Sequence, residues 1–234
     1  GAVEQGRAIA AGQLDPVEQT EAYLEAAQHS NDIYARLTPQ RARDEAMAAH
    51  QRAKSGQRRG VLDGVALSWK DLVDTAGVAT ESGSRLLAGR VPDRDAEVLV
   101  QAGLGGSVCL GKTHMTELAF SGLGVNPMTA TPGNIHDVKR APGGSSSGAA
   151  LSVARGLAAA AVGSDTGGSV RIPAAWNGLV GLKTTHGRVS TRGVVPLCRS
   201  FDTIGPLARN VEDCAHVLAL LEGRNPPDLR DTTL

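Results

Sequence analysis

Two rhythms of apolar and polar residues divide the chain. Residues 1–55 read as helical. LDPVEQTEAYLEAA (14–27) predicts a helix with Asp15 as N-cap, Pro16 at the first helical position and Glu18 completing a capping box. TPQRARDEAMAAHQRA (38–53) repeats the signal, with Thr38 as cap, Pro39 at the first position, and Ala42, Ala46, Ala49 and Ala53 on one face. Both read as packing helices without chemistry. SGQRRGVLDG (55–64) is a turn-rich break. After it, short apolar runs (VALSW, SVCLG, AAAAVGS, GLVGLK) alternate with segments of helical pattern (RDAEVLVQAG, SSGAALSVARGLAA, NVEDCAHVLALLEG). That alternation predicts an α/β layered domain on a largely buried sheet. The last helix is expected to start at Asn210, with Glu212 and Asp213 where the helix dipole favours acidic groups. GRNPPDLRDTTL (223–234) reads as loop. The whole is expected to form a single domain, helical over 1–55 and α/β over 60–234.

Composition narrows the function classes. The chain has 234 residues, 41% of them hydrophobic, which is enough for a sizeable core. Its 24 basic and 24 acidic residues balance, so no electrostatic reason exists for nucleic acid or an anionic membrane as a direct partner. Cys109, Cys198 and Cys214 cannot all pair and have no metal-ligand spacing. A reducing, cytoplasmic setting without metal or cofactor is expected. No apolar run approaches the roughly 20 residues that span a bilayer. No signal peptide is visible, and the chain does not begin with Met, so its natural N-terminus is expected to lie upstream. With 29 glycines and 3% aromatics, close-packed backbone and tight turns are expected in place of an aromatic core.

Two motifs suggest chemistry the context does not support. GSVCLGKT (106–113) fits a phosphate-binding loop, which would put Lys112 on a phosphate. In such a loop a strand precedes the first glycine. Here Val108, Cys109 and Leu110 look like the strand itself, so Lys112 is expected at a strand end. Gly144–Gly148 fits the G-x-S-x-G elbow of α/β-hydrolases, with Ser146 as nucleophile and His186 or His216 as base. That elbow needs a buried strand before it. HDVKRAPG, charged and interrupted by Pro142, cannot supply one. No lysine has a serine three positions before it, which removes the S-x-x-K arrangement as well.

Three stretches remain: LSWKDLVDTAG (67–77), APGGSSSGAA (141–150) and GSDTGGSVRIP (163–173). The second feeds directly into a small-residue helix and is no free linker. The third is a small-residue strand ending in a glycine pair, whose successive N–H groups can point at one spot as an oxyanion hole requires. Ser169 is a candidate nucleophile. It needs a base, and no histidine lies in these stretches. Lys70 does. It follows an apolar run, and burial lowers a lysine pKa by disfavouring the charged form.

Together with GKTHMTELA (111–119) and SFDTIGPLARNVEDCA (200–215), these stretches resemble the amidase signature family, serine hydrolases with a Ser–cis-Ser–Lys triad. The resemblance implies a layered α/β/α fold with a mixed central sheet. It implies Ser169 as nucleophile, Ser145 as bridging serine after a cis peptide from Gly144, and Lys70 as base. Ser146 would orient Lys70, and the N–H groups of Thr166, Gly167, Gly168 and Ser169 would form the oxyanion hole. Lys112 would belong to a framework segment. Asp165 and Arg171 bracket the nucleophile loop and are expected to form a structural ion pair; the sharper alternative has Arg171 binding a substrate carboxylate. Asp71 and Asp74 are expected to solvate or cap nearby backbone and to have no catalytic role. Many members carry glycine where this chain has Ser147, a residue that positive φ would strain.

The activity implied is hydrolysis of a linear carboxamide or related non-peptide C–N bond of a small molecule, releasing ammonia or an amine without a cofactor. Two alternatives stand beside it: the glutaminase-type A subunit of a tRNA-dependent amidotransferase, working with a partner protein, and an inactive half serving as a binding module. A homodimer is a further expectation. Members of the family continue well beyond the point where this chain stops, so the C-terminal part of the fold is expected to be absent.

Overall fold

The computed structural model describes residues 1–224. Seven helices surround one sheet. The helices are α1 (Ala2–Ala10), α2 (Pro16–Gln28), α3 (Pro39–Lys54), α4 (Glu97–Leu104), α5 (Ser147–Ala154), α6 (Arg171–Trp176) and α7 (Val211–Leu221). The strands are β1 (Tyr34–Leu37), β2 (Ala66–Lys70), β3 (Val108–Thr113), β4 (Ala160–Ser164), β5 (Val180–Gly181) and β6 (Ile204–Ala208). They lie in the order β1-β3-β2-β4-β6-β5. The central β3-β2-β4 trio is parallel, and β1, β6 and β5 pair antiparallel at its flanks. Every residue of β2, β3, β4 and β6 is buried, as expected of strands covered on both faces.

The period of two along the strands sorts the core into two layers. Leu67, Trp69, Val162 and Ile204 pack with α1, α4 and α7 through Val3, Leu99 and Val217. Ala66, Ala161 and Leu207 pack with α2, α3 and α5 through Leu24, Ala46 and Leu151. Ser68 shares the second face, meeting Ser152 of α5 at 2.7 Å. Two residues on, Lys70 therefore turns toward the α5 side, which is what places it in the site.

The structure departs from the sequence reading at several points. The stretch 1–55 is not wholly helical: β1 lies within it, anchored where the buried Tyr34 hydroxyl donates to Leu157 O at 2.9 Å. β6 carries Pro206, which supplies no N–H and so reads against an internal strand. The pairing tolerates it because Pro206 still accepts from Leu182 N at 3.1 Å. At α2, Asp15 accepts from Val17 N at 2.8 Å, but Glu18 makes no return bond, so the box is half formed. Thr38 occupies the cap position of α3 without capping it; its hydroxyl donates to Cys109 O at 2.8 Å and ties α3 to β3. GLVGLK contributes only the short edge strand β5. Asn210 caps α7 by accepting from Asp213 N at 2.8 Å. Of the loop read at 223–234, residues 225–234 lie outside the described residues.

The supposed phosphate loop is the strand β3 itself. Its second glycine has a packing reason. Gly111 sits at a bulge between β2 and β3 with φ +152°, and a Cβ there would stand 2.3 Å from Arg36 O of β1. Gly111→Ala is expected to destabilise the fold by at least about 2 kcal/mol. A lower urea midpoint at constant m-value would show it.

Candidate active site

Lys70 ends β2 with its side chain fully buried. Its Nζ donates to Ser145 Oγ at 2.6 Å and to Ser164 Oγ at 2.8 Å. Burial brings its pKa down to about 7, against the opposing pull of the Asp165 and Asp202 carboxylates. The peptide bond from Gly144 to Ser145 is cis. Backbone bonds hold this turn: Gly144 N to Gly122 O at 2.8 Å, Thr116 N to Ser145 O at 3.1 Å, and Ser146 N to Ser169 O at 3.2 Å. Ser147 opens α5 and is not among the residues of positive φ, so serine is unstrained there.

The strand β4 delivers the opposite wall. Beyond Ser164 the chain wraps around Asp165, whose side chain is buried. Asp165 accepts from Gly168 N at 2.8 Å, Val170 N at 3.2 Å, Arg171 Nε at 3.0 Å and Arg171 Nη2 at 3.1 Å. Lys183 Nζ lies 3.4 Å from its Oδ1. Burial raises the carboxyl pKa, but the Arg171 hydrogen bonds, the Val170 amide and both cations outweigh it and hold the group at about 2. Gly168 has φ +137°, and a Cβ there would meet Ile172 Cδ1 at 2.7 Å. The turn needs glycine for that backbone conformation, whereas the Ile172 tip could shift.

This wrapping corrects the predicted oxyanion hole. The Gly168 N–H is taken by Asp165. Among the described residues, the N–H groups of Thr166, Gly167 and Ser169 have no protein acceptor. The Ser169 hydroxyl makes no hydrogen bond among them and borders a cavity of about 280 Å³ lined also by Ala119, Phe120, Gly122 and Ile172. Of the expected relay, the Lys70–Ser145 leg is a hydrogen bond. Ser145 and Ser169 are joined by none, a leg that in such sites often closes only with substrate bound.

Ser146 makes no hydrogen bond to Lys70. Its hydroxyl donates to Ser164 O at 3.3 Å, and the Ser164 hydroxyl is the second partner of Lys70. Ser164 escapes a reading of the sequence because it looks like the last residue of a strand. Asp202 escapes as well. It lies in SFDTIGPLAR, which carries no local chemical signal. Yet it accepts from Thr166 Oγ1 at 2.5 Å and from Leu197 N and Cys198 N, each at 3.0 Å.

The remaining candidates fall elsewhere. Arg171 spends two of its guanidinium nitrogens on Asp165. Asp74 pairs with Arg90 at 2.6 and 2.8 Å, so it is an ion-pair partner and not a backbone cap. Asp71 accepts from Glu81 N at 3.2 Å, as a cap would, and also faces Lys112 at 3.3 Å and Arg36 at 3.7 Å. Lys112 is buried, donates to Thr80 Oγ1 at 2.8 Å, and has its pKa pushed down by burial against the pull of Asp71. The elbow reading fails because 141–146 contains no strand and Ser146 is fully buried. His186 is exposed against Arg199 O, and His216 lies on α7. No group of side chains suited to a metal occurs among the described residues. No helix among them is long and apolar enough to cross a membrane.

A mixed α/β sheet that buries a lysine against the serine of a cis peptide, beside a glycine-rich turn, is the layout of the amidase-signature enzymes. The chain belongs to the Amidase family, whose model matches residues 18–234. It is 43% identical over 236 residues to the A subunit of the glutamyl-tRNA(Gln) amidotransferase of Anaeromyxobacter dehalogenans (strain 2CP-C), covering 100% of this chain and 48% of that relative. The corresponding protein of Chloroflexus aggregans (strain MD-66 / DSM 9485) is 42% identical over 224 residues, covering 94% and 46%. The native peptide amidase of Stenotrophomonas maltophilia superposes with a TM-score of 0.88 at 36% identity, over 98% of this chain and 48% of that one. The chain thus spans about half the length of the relatives it matches.

Proposed function

We propose that this chain carries the catalytic core of an amidohydrolase that cleaves a linear carboxamide of a small molecule through an acyl-enzyme on Ser169. The observation that carries the reading is the fully buried Lys70 at 2.6 Å from Ser145 Oγ, with its pKa brought to about 7. A neutral amine there takes the Ser145 proton as Ser145 takes the proton of Ser169. Ser169 Oγ attacks the amide carbonyl carbon, and the N–H groups of Thr166, Gly167 and Ser169 hold the developing oxyanion. The same relay returns a proton to the leaving nitrogen, which departs as ammonia or an amine. Water then releases the acid and restores the serine. The Asp165–Arg171 pair keeps the turn in shape and meets no substrate. No step requires a cofactor.

The test is covalent labelling with a fluorophosphonate. Ser169 is expected to be labelled, and Ser169→Ala to lose label and ammonia release together. Label on Ser146 would overturn the assignment. The labelling rate is expected to rise with pH through about 7 and then level, because only the uncharged form of Lys70 accepts a proton.

A second reading is favoured by the relatives named as parts of an amidotransferase. In it the carboxamide is glutamine, the ammonia passes to a partner protein, and this chain needs no basic patch of its own. Glutaminase activity that rises when charged tRNA is added together with that partner would select it. A folded chain that takes no label would select the binding module.

A further inference from the structure

We propose that Asp202 is a positioning residue for the Ser169 reaction, holding Thr166 in register with the 197–198 segment and keeping an unneutralised carboxylate beside the relay. This rests on the acyl-enzyme reading above. The carboxylate gathers three donors from two parts of the site: the Thr166 hydroxyl at 2.5 Å, and Leu197 N and Cys198 N at 3.0 Å. Thr166 contributes one of the three free N–H groups of the turn, and Leu197 lines the same cavity as Ser169. A single buried side chain therefore sets both the donor that meets the oxyanion and the wall the substrate leans on. Its platform is rigid. The β4–β6 ladder continues one step past the strands, with Asp165 N to Thr203 O at 2.8 Å and Thr203 N to Asp165 O at 3.2 Å.

Charge separates Asp202 from its neighbour. The negative charges of Asp165, at the end of β4, and Asp202, in the segment before β6, oppose the effect of burial on the Lys70 pKa. Lys70 Nζ donates to the hydroxyls of Ser145 and Ser164. Asp165 is neutralised by Arg171 and Lys183. Asp202 has no cationic partner among the described residues; its donors are a hydroxyl and two amides. Its negative charge acts on Lys70 without a local counter-ion and favours the protonated amine, the form that must donate to the leaving nitrogen.

The experiment compares fluorophosphonate labelling of Ser169 across pH in the full chain, Asp202→Asn and Thr166→Val, with thermal melts alongside. Both variants are expected to label roughly ten- to a hundredfold more slowly, the scale that misplacement of a reacting group produces. Asp202→Asn is also expected to move the midpoint of the pH profile downward, because Lys70 loses a stabilising negative charge, while Thr166→Val leaves the midpoint in place. Should Asp202→Asn not fold, Thr166→Val breaks the same bond from the other side, and its unchanged rate would overturn the proposal. Labelling at the full rate, or slower labelling with an unmoved midpoint in Asp202→Asn, would overturn it too. A natural-sequence chain that takes no label at Ser169 would instead sink the acyl-enzyme reading.

Discussion

Lys70→Ala is expected to silence Ser169, lowering its reaction near neutral pH by on the order of 10⁴-fold, as loss of one member of a relay does elsewhere. The expectation follows from what surrounds the amine. Among the described residues Lys70 is the only basic group hydrogen-bonded to Ser145, and no histidine hydrogen-bonds to Ser145, Ser164 or Ser169. Without it the Ser145 hydroxyl has nothing to pass its proton to. The same burial makes removal of the charge favourable to the fold. The folded-state pKa of about 7 lies below the ordinary 10.5, so the unfolded chain binds more protons across that window. The contribution of Lys70 to stability therefore rises with pH from about 7 to about 10.5, and the lysine is most costly below 7, at up to about 1.4 kcal/mol per pH unit across the window. Lys70→Met fills the space without the charge. It is expected to melt higher than the natural sequence at pH 6, to lose that advantage by pH 10, and to take no label at either. A melt unchanged or lowered at pH 6 would show that the amine is not held neutral.

The second large effect is on stability. Asp165→Ala removes one buried carboxylate and orphans several groups at once: the Arg171 guanidinium, the Lys183 ammonium, and the N–H groups of Gly168 and Val170. Arg171 is half-exposed and regains water, so the cost is chiefly that of leaving the Gly168 and Val170 amides unpaired, about 1–3 kcal/mol each. The loss is expected as a shift of the urea midpoint together with the disappearance of Ser169 labelling, because the turn that aims the nucleophile is folded around this side chain. In the natural sequence the carboxyl is held at about 2, below its ordinary 3.8. Its stabilisation is complete above about 4 and fades as pH falls toward 2. Acid titration of stability is therefore expected to be shallower in Asp165→Ala over that interval. Equal midpoints and equal acid slopes would dismiss the anchor.

Much of the fold was legible because it depends on local repetition. The runs at VALSW, SVCLG and AAAAVGS became β2, β3 and β4, each with boundaries set within a few residues by the change from small apolar side chains to turn residues. β1 and β6 were not legible. β1 is four residues whose strand state is decided by pairing with β3, and β6 contains a proline that local preference argues against. Both exist because a partner strand supplied the hydrogen bonds. At the site, Lys70 could be picked out by its place at the end of an apolar run. That it meets Ser164 and not Ser146 could not be seen, since those serines stand apart in the chain until β4 and the loop before α5 are laid side by side.

Residue type and spacing alone determined which side chains could do chemistry here: one lysine emerging from a buried strand, a serine run opening a helix, and a serine behind paired glycines. Local sequence suffices for that, because pKa range, nucleophilicity and glycine's freedom belong to the residue itself. Only the tertiary structure decided which N–H groups of the turn stay free, which hydroxyl Lys70 meets second, and that Asp202 reaches into the site. Those depend on the directions of side chains and amides brought together from distant parts of the chain. Hydrogen bonds weaken steeply once distance and angle leave a narrow range, and no one-dimensional pattern records direction.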